Sequence, residues 1–368
     1  MTLTFARQCV APADSTSSAD EAIRVLHVVA SEDGSAASAL RDYLSSTGHL
    51  EHWVLASQGS FSALHVPQRS GLIRVVPLPE GIRARIRSVA ETFEKVRPHR
   101  VHAHSFDAGV YVRLSRAVPT SSIVYSPHCY RFERRDISVG ARAFNVFAEF
   151  VLAPRATAVA ACNLRELNLA ARLNRTGQIV HVPHAPSHAS LEPMDVPRVR
   201  RSEPLVAAMG NVCAQRDPDF FLRTLTAAGA GASWVWIGDG DPRYKKRLEE
   251  AGVCVTGHLP RRNMFRLLRS ADVYVHTAAW EGSCDTLLEA AATGVPIAAR
   301  SIPALQAMRI TGLATTPETL ADTVMRLLRS PMDRKIQSES FRRAFRGNNR
   351  ATQSERLREL YGNKRCRD

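Results

Sequence analysis

Along the chain, short runs of β-branched and aliphatic residues that close on Gly, Ser or Pro alternate with longer stretches in which apolar positions return at helical spacing. That alternation predicts strands joined by helices, the grammar of parallel α/β proteins. The first series of strand candidates is IRVLHVVA, HWVLAS, LIRVVPLP, RVHAHS, SIVYSPH, TAVAAC and QIVHVPH, with helices predicted over ASALRDYLSSTG, RIRSVAETFEKVRP and NLRELNLAARL. After MDVPRVRRSEP, a polar stretch rich in Pro and Arg that reads as a linker, the grammar restarts with PLVAAMGN, SWVWIGDG, VCVTGHL, DVYVHTAA and PIAAR. Helical patterns close the chain, in PETLADTVMRLLRSP, SESFRRAFR and SERLRELYGN. The expected fold is α/β, with doubly wound domains at 22–195 and 196–345 facing one cleft. In such sheets ligands sit at the carboxyl ends of strands, so motifs there carry most weight.

Size and charge narrow this picture. A chain of 368 residues exceeds what one core serves well, and 45% hydrophobic residues suffice for two. The net charge of +14 calls for an anionic partner: nucleic acid, an acidic membrane face or a phosphorylated substrate. No RNP-type aromatic pattern or helix-turn-helix signature supports nucleic acid. The seven cysteines are scattered without a C-x-x-C, which argues against a disulfide framework and a zinc knuckle and fits a reducing cytoplasm. Residues 1–21 lack an apolar signal-peptide core and are expected to be a disordered leader. The longest apolar candidate, from Ala143, is interrupted by Asn145, Glu149, Pro154 and Arg155, so no spanning helix is expected.

Candidate chemistry clusters at predicted strand ends. Glu281 follows the strand DVYVHTAAW, and Glu289 stands in the second turn of the helix that Asp285 and Thr286 begin. If either of those residues caps the helix, its free N–H groups and positive dipole end suit a diphosphate; the plainer reading is a capped helix with a solvated Glu. Gly210 and Asn211 end another strand, and Arg216 precedes a helix opened by Pro218, where a guanidinium can hold phosphate or simply decorate a loop. IGDG and TGHL are weaker turn motifs. Gly34 and Ser35 precede the first helix without the full G-x-G-x-x-G fingerprint, which disfavours a nicotinamide cofactor. His128 ends SIVYSPH, where an imidazole faces either the cleft, to bond a hydroxyl or phosphate, or the core. His181, His184 and His188 match no metal-ligand spacing, and His102 and His104 share one strand face as packing or loop contacts. Neither a G-x-S-x-G elbow nor a Walker loop is present.

Taken together, these stretches resemble the retaining GT-B glycosyltransferases of family 4, over most of the chain from Ile23 to Tyr361. The most specific element is E-x7-E, here Glu281-GSCDTLL-Glu289, supported by G-N-x4-R-D-P at Gly210 to Pro218, WIGDG, TGHL, VHAHS and SPH. The resemblance implies a GT-B fold, an acceptor-side first domain, a nucleotide-sugar-binding second domain, and residues 346–368 as a helix crossing back to the first domain. It places Glu281 beside the donor sugar and Glu289 at the ribose hydroxyls. Backbone N–H groups of Ser283, Cys284, Asp285 and Thr286 would hold the sugar and diphosphate, and Arg216 would neutralise the leaving group. Gly34 would admit the diphosphate from the opposite domain, His128 would contact the donor sugar or its phosphate, and His258 and Leu259 would frame the base.

The chain departs from that pattern at several points. Asn211 stands where the family usually has Arg, His184-Ala185 replaces Asn-Gly, Gly34-Ser35 replaces Gly-Gly, and Ser283-Cys284 replaces Phe-Gly or Phe-Pro. Asn donates a hydrogen bond but does not supply a guanidinium's charge. Arg216 and a helix terminus can stabilise a leaving diphosphate without a metal, so no metal or other cofactor is expected. A lone Glu281 does not decide between a covalent intermediate and same-face attack; the resemblance favours same-face attack. The expected activity is transfer from a nucleotide-diphosphate sugar to a sugar or lipid-linked acceptor in polysaccharide, glycolipid or glycoconjugate biosynthesis, in the cytoplasm. RIRSVAETFEKVRPHR and RFERRDISVGARAFNVF are candidates for peripheral contact with an anionic membrane, against the reading that they are solvated faces. A nucleotide-sugar epimerase of the same fold and a non-catalytic basic binding protein are the alternatives.

Overall fold

The computed structural model describes residues 22–30, 35–58, 60, 70–174, 177–191 and 201–362. The leader, Gly34 and the linker at 192–200, with the expected boundary at 195–196, lie outside the described residues.

Each apolar run named above forms a strand. The first sheet contains β1 (Arg24–Val29), β2 (Glu51–Ala56), β3 (Leu72–Pro77), β4 (Arg100–His104), β5 (Ile123–Ser126), β6 (Ala158–Ala161) and β7 (Gln178–His181), in the order β3-β2-β1-β4-β5-β6-β7. The second contains β8 (Leu205–Met209), β9 (Ser233–Ile237), β10 (Cys254–Val255), β11 (Val273–His276) and β12 (Ile297–Ala299), in the order β10-β9-β8-β11-β12. All named pairings are parallel. Parallel strands covered on both faces read as unbroken apolar runs, and Val206, Ala207, Val273, Tyr274 and Ile297 are accordingly all buried.

Strand order reverses between β1 and β4 in the first sheet and between β8 and β11 in the second. At such a switch point the connections leave to opposite faces and open a crevice beyond the carboxyl ends.

The helix Arg350–Gly362 returns to the first sheet. Its Leu357, Leu360 and Tyr361 pack with Val25, Tyr43, Val124, Ala158, Ala160 and Val180. Gln353 donates to Pro183 O at 3.0 Å, and Ser46 Oγ donates to Gln353 Oε1 at 2.6 Å.

The helix Val139–Leu152 is built inside out. Asn145 and Glu149 are buried, whereas Val139, Phe144, Phe147, Phe150 and Val151 are exposed. Glu149 accepts from Arg113 Nη1 at 2.8 Å and from Tyr125 O–H at 2.6 Å. This buried ion pair with a second hydrogen bond fixes the helix's rotation, because withdrawing Glu149 would strand a buried guanidinium. The aromatic side is therefore left facing outward.

Candidate active site

The carboxyl ends of β1, β4, β5 and β7 meet those of β8 and β11 around a cavity of about 730 Å³. Ala30, Ser105 and His128 line it from the first unit, and Asn211, Arg216 and Glu281 from the second.

Arg216 stands in a 3-10 turn after β8, just ahead of the helix Pro218–Ala228, which Asp217 caps by accepting from Phe220 N at 3.0 Å. Gly210 follows β8 at φ 124, and a Cβ there would stand 3.0 Å from Arg216 Nε, so the glycine keeps the guanidinium's berth open. Arg216 Nη1 donates to Glu281 Oε1 and, at 3.0 Å, to Thr286 Oγ1. Gln215 Nε2 donates to Trp280 O at 3.1 Å and to Glu281 Oε2 at 3.3 Å. Burial pushes the Glu281 carboxyl up and Arg216 pulls it back, the net direction being upward. An acid so held, beside a guanidinium aimed into a cleft, is a candidate for chemistry.

The helix Asp285–Thr293 corrects one expectation. Neither Asp285 nor Thr286 caps it: Cys284 occupies the cap position at φ 57 with no side-chain cap bond. Asp285 is instead the first helical residue, and it accepts from His184 Nδ1 at 2.9 Å. Desolvation alone would raise the Asp285 carboxyl, but His184 and a bond from Ser283 bring it to about 2. Burial alone would lower the His184 imidazole, but Asp285, with Asp42 and Glu166, raises it. The helix's first N–H groups still lack partners inside the helix and lie beside Arg216.

The first unit closes against this terminus. His128 and Cys129 take left-handed backbone at φ 53 and 95, a costly conformation for residues with a Cβ. Glu166 holds it, accepting from Cys129 N and, at 2.8 Å, from Cys162 N. Gly282 abuts the same turn: an added Cβ would stand 2.6 Å from His128 O. Asn163 Nδ2 donates to Gly282 O at 2.5 Å. The two units thus touch beside Glu281.

Behind His128 runs a buried histidine chain. His52 Nδ1 meets His27 Nε2 at 3.0 Å, His27 Nδ1 meets His104 Nε2 at 3.0 Å, and His104 Nδ1 meets His128 Nε2 at 3.1 Å. His102 bonds Tyr361 O–H at 2.7 Å and Ser126 Oγ at 2.8 Å. His27, His102 and His104 are close enough to suggest a metal centre. Every one of their ring nitrogens already has a hydrogen-bond partner, so a cation would have to break the network.

Burial lowers these imidazoles, His52 to about 4 and His104 to about 3, against an ordinary 6.5. The folded chain then binds fewer protons than the unfolded one, so stability is full above about pH 7 and falls as pH drops from 6.5 toward 4. The melting temperature should decline over that window, and the His52→Gln protein should decline less steeply. Parallel pH profiles for the two proteins would contradict neutral burial of His52.

Among the expected residues, the cavity brings together His128, Asn211, Arg216, Glu281, Ser283 and Asp285. Thr286 reaches it through Arg216, and Cys284 is buried behind it. Three others stand apart from its lining. Glu289 pairs with Arg261, His258 is 88% exposed and bonded to Asp239 at 3.1 Å, and Leu259 packs on the second unit's core.

Sequence reading did not single out Gln215, Trp280, Asp107, Arg131 or Arg134, all of which line the cavity. Gln215 and Trp280 flank motif residues and were within reach. The arginines belong to the segment RFERRDISVGARAFNVF, whose sequence suggests a membrane contact or a solvated face. His184 stands out in the sequence as a departure from the family pattern, whereas its bond to Asp285 comes from the other unit and has no local signal.

Comparison with known proteins agrees with this fold. Residues 203–330 match the family model described as glycosyl transferases group 1. No curated protein sequence gives a significant match. Among solved structures, sucrose-phosphate synthase from Thermosynechococcus elongatus superposes with a TM-score of 0.77 at 14% identity, covering 92% of this chain and 98% of that one. Anabaena HepE in complex with UDP-glucose gives 0.75 at 15%, covering 92% and 99%. WaaG, a glycosyltransferase involved in lipopolysaccharide biosynthesis, gives 0.68 at 14%, covering 93% and 100%. The chain has the GT-B fold, and within its second half residues 203–330 are similar to group 1 glycosyl transferases.

Proposed function

We propose that this protein transfers a sugar, with retention, from a nucleotide-diphosphate sugar to a hydroxyl of a lipid-linked or carbohydrate acceptor. The observation that carries this reading is the buried Arg216–Glu281 pair at the start of the helix Asp285–Thr293, inside a cleft formed at two switch points. Departure of a nucleoside diphosphate leaves negative charge, which Arg216 and the helix terminus are placed to stabilise. That arrangement makes metal-independent transfer chemically sufficient. Glu281 lies beside the reacting sugar and stabilises positive charge as the glycosidic bond breaks. Same-face attack accounts for retention with a single carboxylate there. The second domain's match to group 1 glycosyltransferases and the UDP-glucose bound by HepE support a nucleotide-sugar donor.

The test is direct. The protein is incubated with UDP-, GDP- and ADP-sugars and lipid-linked or saccharide acceptors, and product and anomeric configuration are read by mass spectrometry and NMR. A retained-configuration glycoside formed with stoichiometric release of the nucleoside diphosphate supports the reading. Isomerised sugar nucleotide with no glycoside would replace it with an epimerase.

The acceptor side favours an anionic membrane surface. Among the described residues, no helix is long and apolar enough to cross a membrane. The inside-out helix nevertheless exposes Phe144, Phe147 and Phe150 by 66, 64 and 61%. A cavity of about 140 Å³ lined by Arg135, Arg142 and Arg165 reaches Glu281 from that helix's side. Aromatic anchors beside arginines suit the interface of a bilayer bearing acidic headgroups. Burying a Phe is worth roughly 1.5–3 kcal/mol, so Phe144→Asp with Phe147→Asp should reduce binding to phosphatidylglycerol vesicles by about tenfold or more. Unchanged co-sedimentation of that variant would exclude this face.

A further inference from the structure

The histidine chain behind the cleft has a direction, and it ends at His128, a residue of the cavity wall. Thr47 Oγ1 donates to Tyr43 O at 2.7 Å, so toward His52 it offers only a lone pair. His52 Nε2 lies 3.1 Å from that oxygen and 3.0 Å from the Thr47 carbonyl. Both neighbours accept, so His52 Nε2 carries the proton, and in the neutral ring Nδ1 accepts. His27 must then donate from Nε2 and accept at Nδ1. The same logic passes to His104 through the 3.0 Å contact and to His128 through the 3.1 Å contact.

One carbonyl thereby sets four tautomers. The last ring ends with a lone pair at His128 Nδ1, which is buried and has no partner among the described residues, and His128 lines the cavity. His102 is locked by a parallel device: Ser126 Oγ donates to Ala160 O at 3.1 Å, so it accepts from His102 Nε2, and His102 Nδ1 accepts from Tyr361. The His102 and His104 rings lie with centroids 4.1 Å apart, so the locked ring braces the relay.

We propose that His52, His27 and His104 are positioning residues that hold His128 as a neutral Nε2–H tautomer, making its Nδ1 an obligate acceptor for a ligand hydroxyl and not a donor to phosphate. This rests on the cleft being a nucleotide-sugar site, and it assigns His128 to a hydroxyl of the sugar. Burial keeps each ring neutral, in keeping with this polarity. A neutral acceptor repels phosphate oxygens, which carry lone pairs of their own, and rewards an O–H.

The tautomers can be measured without substrate. In protein labelled with ¹⁵N-histidine, long-range ¹H–¹⁵N correlations at pH 7, assigned by loss of one spin system in His128→Gln, should place the His128 proton on Nε2 with Nδ1 unprotonated. An Nδ1–H or doubly protonated His128 would overturn the proposal, whatever the enzyme's activity. The relay is tested by His27→Phe, which should mix the His128 tautomers and lower kcat/KM for the sugar nucleotide about tenfold while leaving the affinity for the free nucleoside diphosphate unchanged. His27→Gln keeps a donor and an acceptor at similar separation and should restore both the spectrum and kcat/KM. Equal losses for the sugar nucleotide and the bare diphosphate, or no rescue by Gln, would reduce the chain to packing. If no sugar nucleotide is turned over at all, the functional reading fails while the tautomer measurement still decides the relay.

Discussion

Glu281→Gln should lower kcat about 100- to 1000-fold while leaving nucleoside diphosphate affinity within about threefold of the parent. The substitution preserves shape and keeps one acceptor oxygen for Arg216, while it removes the charge and puts an amide donor in place of the oxygen that accepts from Gln215. In the parent, that charge faces Arg216 and is held nearly out of water, where electrostatic interactions are stronger than in bulk solvent. Losing it withdraws stabilisation from a developing positive sugar centre and not from the bound diphosphate. Arg216, released from its partner, remains available to phosphate. Pre-steady-state turnover with a competent donor, together with calorimetric titration of the diphosphate, separates the two effects. Transfer at the parent rate would remove Glu281 from the reacting centre.

Arg216→Ala should act on the other half of the reaction. Charge-assisted hydrogen bonds contribute about 1.5–3 kcal/mol each, so nucleoside diphosphate binding should weaken by roughly tenfold to 150-fold. Affinity for the corresponding nucleoside, which has no phosphate, should stay the same. The variant also leaves Glu281 buried without its counter-charge, and its carboxyl should rise further and take up a proton. Arg216→Lys restores charge without the bidentate fork and should fall between the parent and Ala. Equal weakening of nucleoside and diphosphate would mean that Arg216 shapes the cleft without contacting phosphate.

Much of this site was legible because parallel strands announce themselves. Runs such as LVAAM and VYVH are apolar throughout, as strands buried on both faces must be. Residues at their ends could therefore be placed in a cleft before any coordinates, and Asn211, Arg216 and Glu281 are there. What failed was local. Asp285 looked like a helix cap, yet its carboxylate is taken by His184 from the other unit, a contact 101 positions away.

The histidines show the same limit. VHAHS placed His102 and His104 on one face, but their partners come from β1, β5, the turn at His128 and the last helix. Spacing along one strand carries no information about a network assembled across a sheet. The helix Val139–Leu152 was legible only in part: Asn145 and Glu149 stand out in the sequence as interruptions of an apolar run, but the Arg113–Glu149 pair that turns this polar face inward joins distant segments.

The central claim is that the cleft binds a nucleotide-diphosphate sugar through its phosphates. A thermal-shift series on the intact chain with UDP, GDP, ADP, their sugar conjugates and the matching nucleosides tests it most directly, since a bound ligand stabilises by mass action. One diphosphate and its sugar conjugate should raise the melting temperature, the nucleoside should not, and Arg216→Ala should abolish the shift. No shift with any nucleotide, together with steeply salt-dependent binding to DNA or RNA, would contradict the account and leave a basic binding protein in its place.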